Sequence, residues 1–169
     1  MSLLSQLVWK VRRNHAAEHA TMHLLSAANP SLRLVGRSDW NGFSLYGDVD
    51  THAVLQAASE ALARLRGHEG WLAIHPNCGT NLAAAILLTG GAAYLAATLP
   101  ARSTAGRVMR VALAMTGAVL IARPVGAALQ QLTTTTDLAG ARVQAVRREV
   151  DGKLVIHRIA IAHANPDAG

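Results

Sequence analysis

The pentapeptide His15-Ala16-Ala17-Glu18-His19 has the form H-x-x-E-H, and the single cysteine of the chain lies downstream in His75-Pro76-Asn77-Cys78-Gly79-Thr80-Asn81. On a helix, residues four apart share a face, so His15 and His19 can direct two imidazoles at one metal ion. Glu18 lies near the same face and is placed to accept a proton from a water activated by that ion. His75 and Cys78, spaced H-x-x-C with Pro76 stiffening the loop, offer a further imidazole and a thiolate, donors that suit zinc or another divalent transition metal. The expected metal ligands are therefore His15, His19, His75 and Cys78, with Glu18 as the catalytic base.

Two functions follow from this donor set. Three protein ligands and one open position make a zinc-dependent hydrolase; four protein ligands make a closed structural site. The second reading is a non-catalytic membrane assembly factor or accessory subunit, its metal clipping the first helix to the loop before the membrane. Taken singly, Cys78 reads as a small residue at a helix start and His75 as a loop histidine bonded to backbone. Together, four metal-capable side chains fall in two compact motifs. His23 continues the stripe one turn beyond His19, as a group supporting the ligands or a polar residue at the membrane surface, ahead of a further ligand. His52, His68, His157 and His163 have no partners at useful spacing and read as surface residues.

The elements that must position these groups are legible as an α+β fold. Helical spacing of Leu4, Leu7, Val8 and Val11 predicts a helix from Leu4 to Ala28, ended by Asn29-Pro30. Leu32 to Gly36 and Phe43 to Val49 read as strands around an Asn41-Gly42 turn. Asp50-Thr51 caps a helix to Arg66, closed by Gly67. Ala141 to Val150 and Lys153 to Ala162 flank Asp151-Gly152, the strongest hairpin signal in the chain.

Between these segments lies the apolar part of the chain. Thr80 to Leu99 carries no charge over a length that crosses a hydrocarbon core, and Gly90-Gly91 suits close helix approach in a membrane. A second run from Val111 continues past Arg123-Pro124, where the helix either ends or carries an arginine that reaches the headgroups. The expected organisation is a small domain of two or three helices and two antiparallel β-hairpins, formed by residues 1–79 and 133–169. An inserted two-helix transmembrane hairpin occupies residues 80–132.

Charged residues make up 15% of the chain, few for a soluble domain of 169 residues, and the net charge is +6. The arginines are spread along the chain without a nucleic-acid motif, so the expected partners are the lipid bilayer and a protein in the membrane, with no nucleic acid. One cysteine forms no internal disulfide. Residues 1–13 lack the order of a signal peptide and read as an amphipathic helix at the bilayer. Two spans place both termini on one side, and the expectation is the bacterial inner membrane with the soluble part in the cytoplasm. Basic residues lie on both sides of the hairpin, so the positive-inside rule favours neither orientation.

The letters H-x-x-E-H also occur in the inverted zincins, where two histidines hold the metal and the glutamate is the base. The pair H-A-A-E-H and H-P-N-C-G-T-N, followed at once by membrane helices, resembles the YqhQ-like bacterial membrane proteins, whose motifs are H-G-A-E-H and H-P-x-C-G-T. That resemblance places His15, Glu18 and His19 on the first motif and His75, Cys78, Gly79 and Thr80 on the second. It implies metal dependence without naming a reaction. The chain departs from the pattern at Ala16 and Asn77, and has fewer spans. As a whole it is similar to a domain of unknown function from photosynthetic and related bacteria.

Overall fold

A computed structural model describes residues 2–164. The first helix, α1 (Leu3–Ala28), starts at Ser2, whose hydroxyl accepts from the Ser5 amide, and stops before Pro30. The strands β1 (Val35–Asp39) and β2 (Gly42–Tyr46) form a hairpin. Helix α2 (Thr51–Arg66) is capped by Asp50, whose carboxylate accepts from the Ala53 amide at 2.9 Å, as its sequence predicts. A 3₁₀ turn covers Gly70–Ala73. The apolar helices α3 (Gly79–Thr98) and α4 (Thr104–Thr133) follow, and a second hairpin, β3 (Arg142–Asp151) with β4 (Leu154–Ala162), closes the chain.

The chain divides into two compact units, one of residues 1–75 and 133–169, the other of residues 76–132. In the first, the two hairpins join through β2 and β4 into one antiparallel sheet of order β1-β2-β4-β3. Helices α1 and α2 pack against each other and against the sheet. Their small residues Ala16, Ala17, Ala20, Ala58 and Ala61 let the backbones approach, and Phe43, Leu45, Leu62, Leu65, Leu72 and Ile159 fill the core between them.

Both turns fall one residue away from the expected place. The first hairpin pairs Asp39 with Gly42, so its loop is Trp40-Asn41, held by the Asp39 carboxylate accepting from the Asn41 amide. Gly42 takes φ +147°, and a Cβ there would strike the Ile159 carbonyl. The second pairs Asp151 with Leu154 around Gly152-Lys153, with Gly152 at φ +59°. Strand β1 also begins later than its apolar residues suggest. Leu32 and Leu34 pack against the core from outside the sheet, because pairing with β2 ends at Tyr46.

Two of the histidines read as surface residues are not. His157 is fully buried on the inward row of β4 with Ile159 and Ile161, and its Nε2 lies 3.3 Å from the Thr51 hydroxyl. His163 is half-buried and meets the Asn14 side-chain oxygen at 2.8 Å. His52 and His68 are exposed, as expected.

The second unit is the hairpin of α3 and α4, two helices long and apolar enough to cross a membrane. Its large apolar side chains face outward: Leu87 is 75% exposed and Leu120 73%. Helix α4 runs unbroken through Arg123 and Pro124, so Arg123 sits within a helix. At the loop end, Arg110 donates to the carbonyls of Ala96, Leu99 and Pro100, satisfying groups that the end of α3 leaves open. At the other end, Gln130 donates to the Asn81 side-chain oxygen at 2.8 Å, and Asn81 donates to the Pro76 carbonyl.

The close approach of these helices is at Gly126, not at Gly90-Gly91. A Cβ on Gly126 would lie 2.9 Å from the Asn81 Cα, whereas one on Gly90 or Gly91 meets no described atom within 4 Å. Gly126→Ala is therefore expected to force Asn81 and Gln130 apart and cost about 1–3 kcal/mol. Gly90→Ala should be neutral or slightly stabilising, since alanine is the better helix former. Thermal unfolding in detergent checks the contrast.

Candidate metal centre

Helix α1 carries His15, His19 and His23 along one stripe, and the segment that follows the 3₁₀ turn brings His75 to it. The ring centroids of His15 and His19 are 4.2 Å apart, those of His19 and His75 5.7 Å, and those of His23 and His75 4.7 Å. His19 is 1% exposed and His75 6%. Four imidazoles thus share one seam, buried at His19 and His75 and partly exposed at His15 and His23.

Backbone carbonyls orient three of these rings. His19 Nδ1 lies 2.6 Å from the Ala73 carbonyl, and His15 Nδ1 lies 3.2 Å from that of Thr133. A carbonyl only accepts, so each neutral ring carries its proton on Nδ1 and its lone pair on Nε2. That is how metal-binding histidines are held, with one ring nitrogen tied to a carbonyl and the other presented to the ion. His23 is tied by the other nitrogen, its Nε2 meeting the Ile74 carbonyl at 2.8 Å, and its ring stands edge-on to Trp71. The carbonyls of Ala73 and Ile74 are consecutive, so the 3₁₀ turn sets two rings at once. No residue type in the sequence marks a carbonyl for this task.

Glu18 is 5% exposed, and its carboxylate lies at β1, where the Ser38 hydroxyl donates to Oε2. A Cβ on Gly36 would collide with that carboxylate. Gly36 and Ser38, two alternate residues of β1, therefore define the pocket for Glu18. Sequence spacing did not point to either.

Cys78 belongs to the second unit. It is the N-cap of α3, 8% exposed, with its sulfur accepting from the Thr80 amide at 3.4 Å. Of the five expected site residues, the first unit gathers His15, His19 and His75 into the imidazole seam and turns the Glu18 carboxylate to the sheet. Cys78 itself caps α3, while Asn81 fastens the hairpin.

Burial pushes the His75 pKa down to about 4, with His23 and His19 adding to the effect. His163 is likewise pushed down to about 4, by burial first and then by Arg13 and Lys10. Both rings are neutral in the folded chain at pH 7. The unfolded chain, with ordinary histidines, takes up protons below about 6.5 that the folded chain refuses until about 4. Their contribution is thus complete above pH 6.5 and lost as the pH falls toward 4, worth roughly 3 kcal/mol for each ring. Metal-free protein should melt at a steadily lower temperature from pH 7 to 4.5, and His163→Gln should flatten that dependence.

A family described as Domain of unknown function (DUF6391) matches residues 10–146. An uncharacterised protein of Picosynechococcus sp. is 33% identical over 150 residues, which cover 83% of this chain and 73% of that protein. No solved structure matches. The matched region takes in both motifs and the hairpin, and the family brings no assigned reaction.

Proposed function

The chain belongs to the DUF6391 family, a domain of unknown function, and from its site we propose that it is a membrane-anchored metal-binding protein in which His15, His19 and Cys78 hold one transition-metal ion. The observation that carries this reading is the pair of Nδ1–carbonyl contacts, which present the Nε2 atoms of two histidines one helical turn apart. Chain connectivity supports the third donor. Three peptide units separate His75 from Cys78, so the two Cα atoms are within about 11 Å of each other whatever the loop does. Two imidazoles and a thiolate fit zinc best, and His75 is the reserve for a fourth position. The likeness of both motifs to the YqhQ-like proteins points the same way.

The membrane reading rests on α3 and α4. Twenty residues of helix span about 30 Å, and their outward faces are apolar. Arg110 lies at the loop end, and Arg123 stands one turn before Gly126, near the opposite end, where its side chain reaches toward headgroups. The bilayer is thus the first partner, and the bacterial inner membrane with the first unit in the cytoplasm is the placement we adopt.

Hydrolysis is the second reading, favoured by Glu18. A carboxylate one residue from a ligand is the base this reading needs, and to act it would have to leave the Ser38 hydroxyl on β1 and turn toward the ion. A bound ion would supply Lewis acidity. The alternative role, as a non-catalytic assembly factor or accessory subunit, follows if His75 closes the coordination. Elemental analysis of protein purified from membranes tests the proposal. About one equivalent of metal is expected in the wild type and in Glu18→Gln, and well under one in Cys78→Ala, where only His15 and His19 remain to hold it. Loss of metal in Glu18→Gln would make Glu18 a ligand and end the hydrolytic reading.

A further inference from the structure

The first two turns of α1 border an open groove of about 460 Å³, a volume in the range of ligand sites. Leu4, Val8 and Trp9 line it with apolar surface, Arg12 supplies its charge, and the hydroxyl residues Ser2, Ser5 and Thr135 make up the rest of the wall. We infer that this groove seats one anionic phospholipid, its phosphate at Arg12 and its upper acyl chain along Leu4, Val8 and Trp9. The inference rests on the membrane reading above and adds a ligand class to it.

Four observations point to that occupant. First, the polar end is a fixed cation. Arg12 donates through Nε and Nη2 to the Thr134 carbonyl at 3.2 and 2.8 Å, and no carboxylate among the described residues pairs with it. Second, the apolar wall is rigid. The Arg13 guanidinium lies 4.2 Å from the Trp9 ring centroid and donates to the Ala139 carbonyl, so the indole is braced from behind. Tryptophan beside lysine and arginine is the composition of a membrane interface.

Third, residues 1–17 contain Lys10, Arg12 and Arg13 and no acidic residue. An anionic headgroup complements that charge, whereas a second copy in a two-fold contact would oppose like charges. Fourth, Thr135 lies two residues beyond the end of α4. Chain connectivity alone therefore keeps that wall within about 7 Å of the end of a helix read as spanning the bilayer. Leu3 and Leu4, 74% and 71% exposed, extend the apolar surface past its rim.

Native mass spectrometry of the full-length protein, delipidated in neutral detergent and titrated with phosphatidylglycerol or phosphatidylcholine, tests the inference. One phosphatidylglycerol should bind roughly tenfold more tightly than phosphatidylcholine. Arg12→Gln should abolish that preference. Val8→Trp, at a position already half exposed, should fill the groove and weaken both lipids about tenfold without disturbing the core. Equal affinity for the two lipids, unchanged binding in both variants, or protein dimers in place of lipid adducts would each overturn the inference. Alkaline carbonate extraction separates the two readings. Release of the wild type from membranes overturns the membrane reading and the inference with it, while retention with unaltered lipid binding in the variants overturns the groove alone.

Discussion

His19→Ala is expected to strip the protein of its metal. The substitution removes an Nε2 donor and the Nδ1 contact to Ala73 that aims it. Losing an outer partner of a ligand already costs 10–100-fold in metal affinity, so losing the ligand should cost at least roughly a hundredfold. The same change leaves the Ala73 carbonyl without its buried partner and opens a gap at a residue only 1% exposed, together worth about 2–4 kcal/mol. Metal content and melting temperature should therefore fall together. His52→Ala, at an exposed histidine on α2, should change neither. Retention of a full equivalent of metal by His19→Ala would remove this residue from the centre.

Gly36→Ala is expected to be strongly destabilising through its effect on Glu18. The added carbon would occupy the space of the Glu18 carboxylate, and the neighbouring residue of that pocket, Ser38, would lose its partner. Displacing a buried carboxylate from a charge-assisted hydrogen bond costs about 2–3 kcal/mol, and the steric clash adds to it. For a protein of this size that corresponds to a fall of roughly 10 °C in melting temperature. The assignment has an internal control. In a Glu18→Ala background the cavity accepts the new methyl, so Gly36→Ala should cost far less there. Equal cost in both backgrounds would mean that the glycine is needed for some other reason.

The helices of this fold were legible because their boundaries carry chemical signals. Asp50, Gly67 and the Asn29-Pro30 pair act where their types predict. The hairpins were legible from Asn41-Gly42 and Asp151-Gly152, yet each turn slipped by a residue. The first hairpin has its glycine just after the loop and the second has it at the first loop position, and only cross-strand pairing distinguishes such registers. The join of β2 to β4 links residues more than a hundred apart, and no local signal announces it. His157 could have been read correctly, since it alternates with Ile159 and Ile161 on one face of β4.

At the site, side-chain spacing found the histidines on α1 and their link to His75. It missed what orients them, because backbone carbonyls have no letter. It also missed the β1 pocket for Glu18, where Gly36 matters through what it lacks. Gly90-Gly91 illustrates the opposite error. Glycine in an apolar helix permits close packing without requiring it, and here the contact is made by Gly126 against Asn81.

Cobalt substitution tests the central claim most directly. Apo protein titrated with Co²⁺ reports ligand type and number through its absorption spectrum. With two imidazoles and the Cys78 thiolate on one ion, the wild type should saturate at about one equivalent and show the intense d–d bands of a tetrahedral site. A thiolate charge-transfer band should accompany them and vanish in Cys78→Ser while some cobalt binding through His15 and His19 persists. A wild-type spectrum without the thiolate band, or one that Cys78→Ser leaves unchanged, would contradict the shared site.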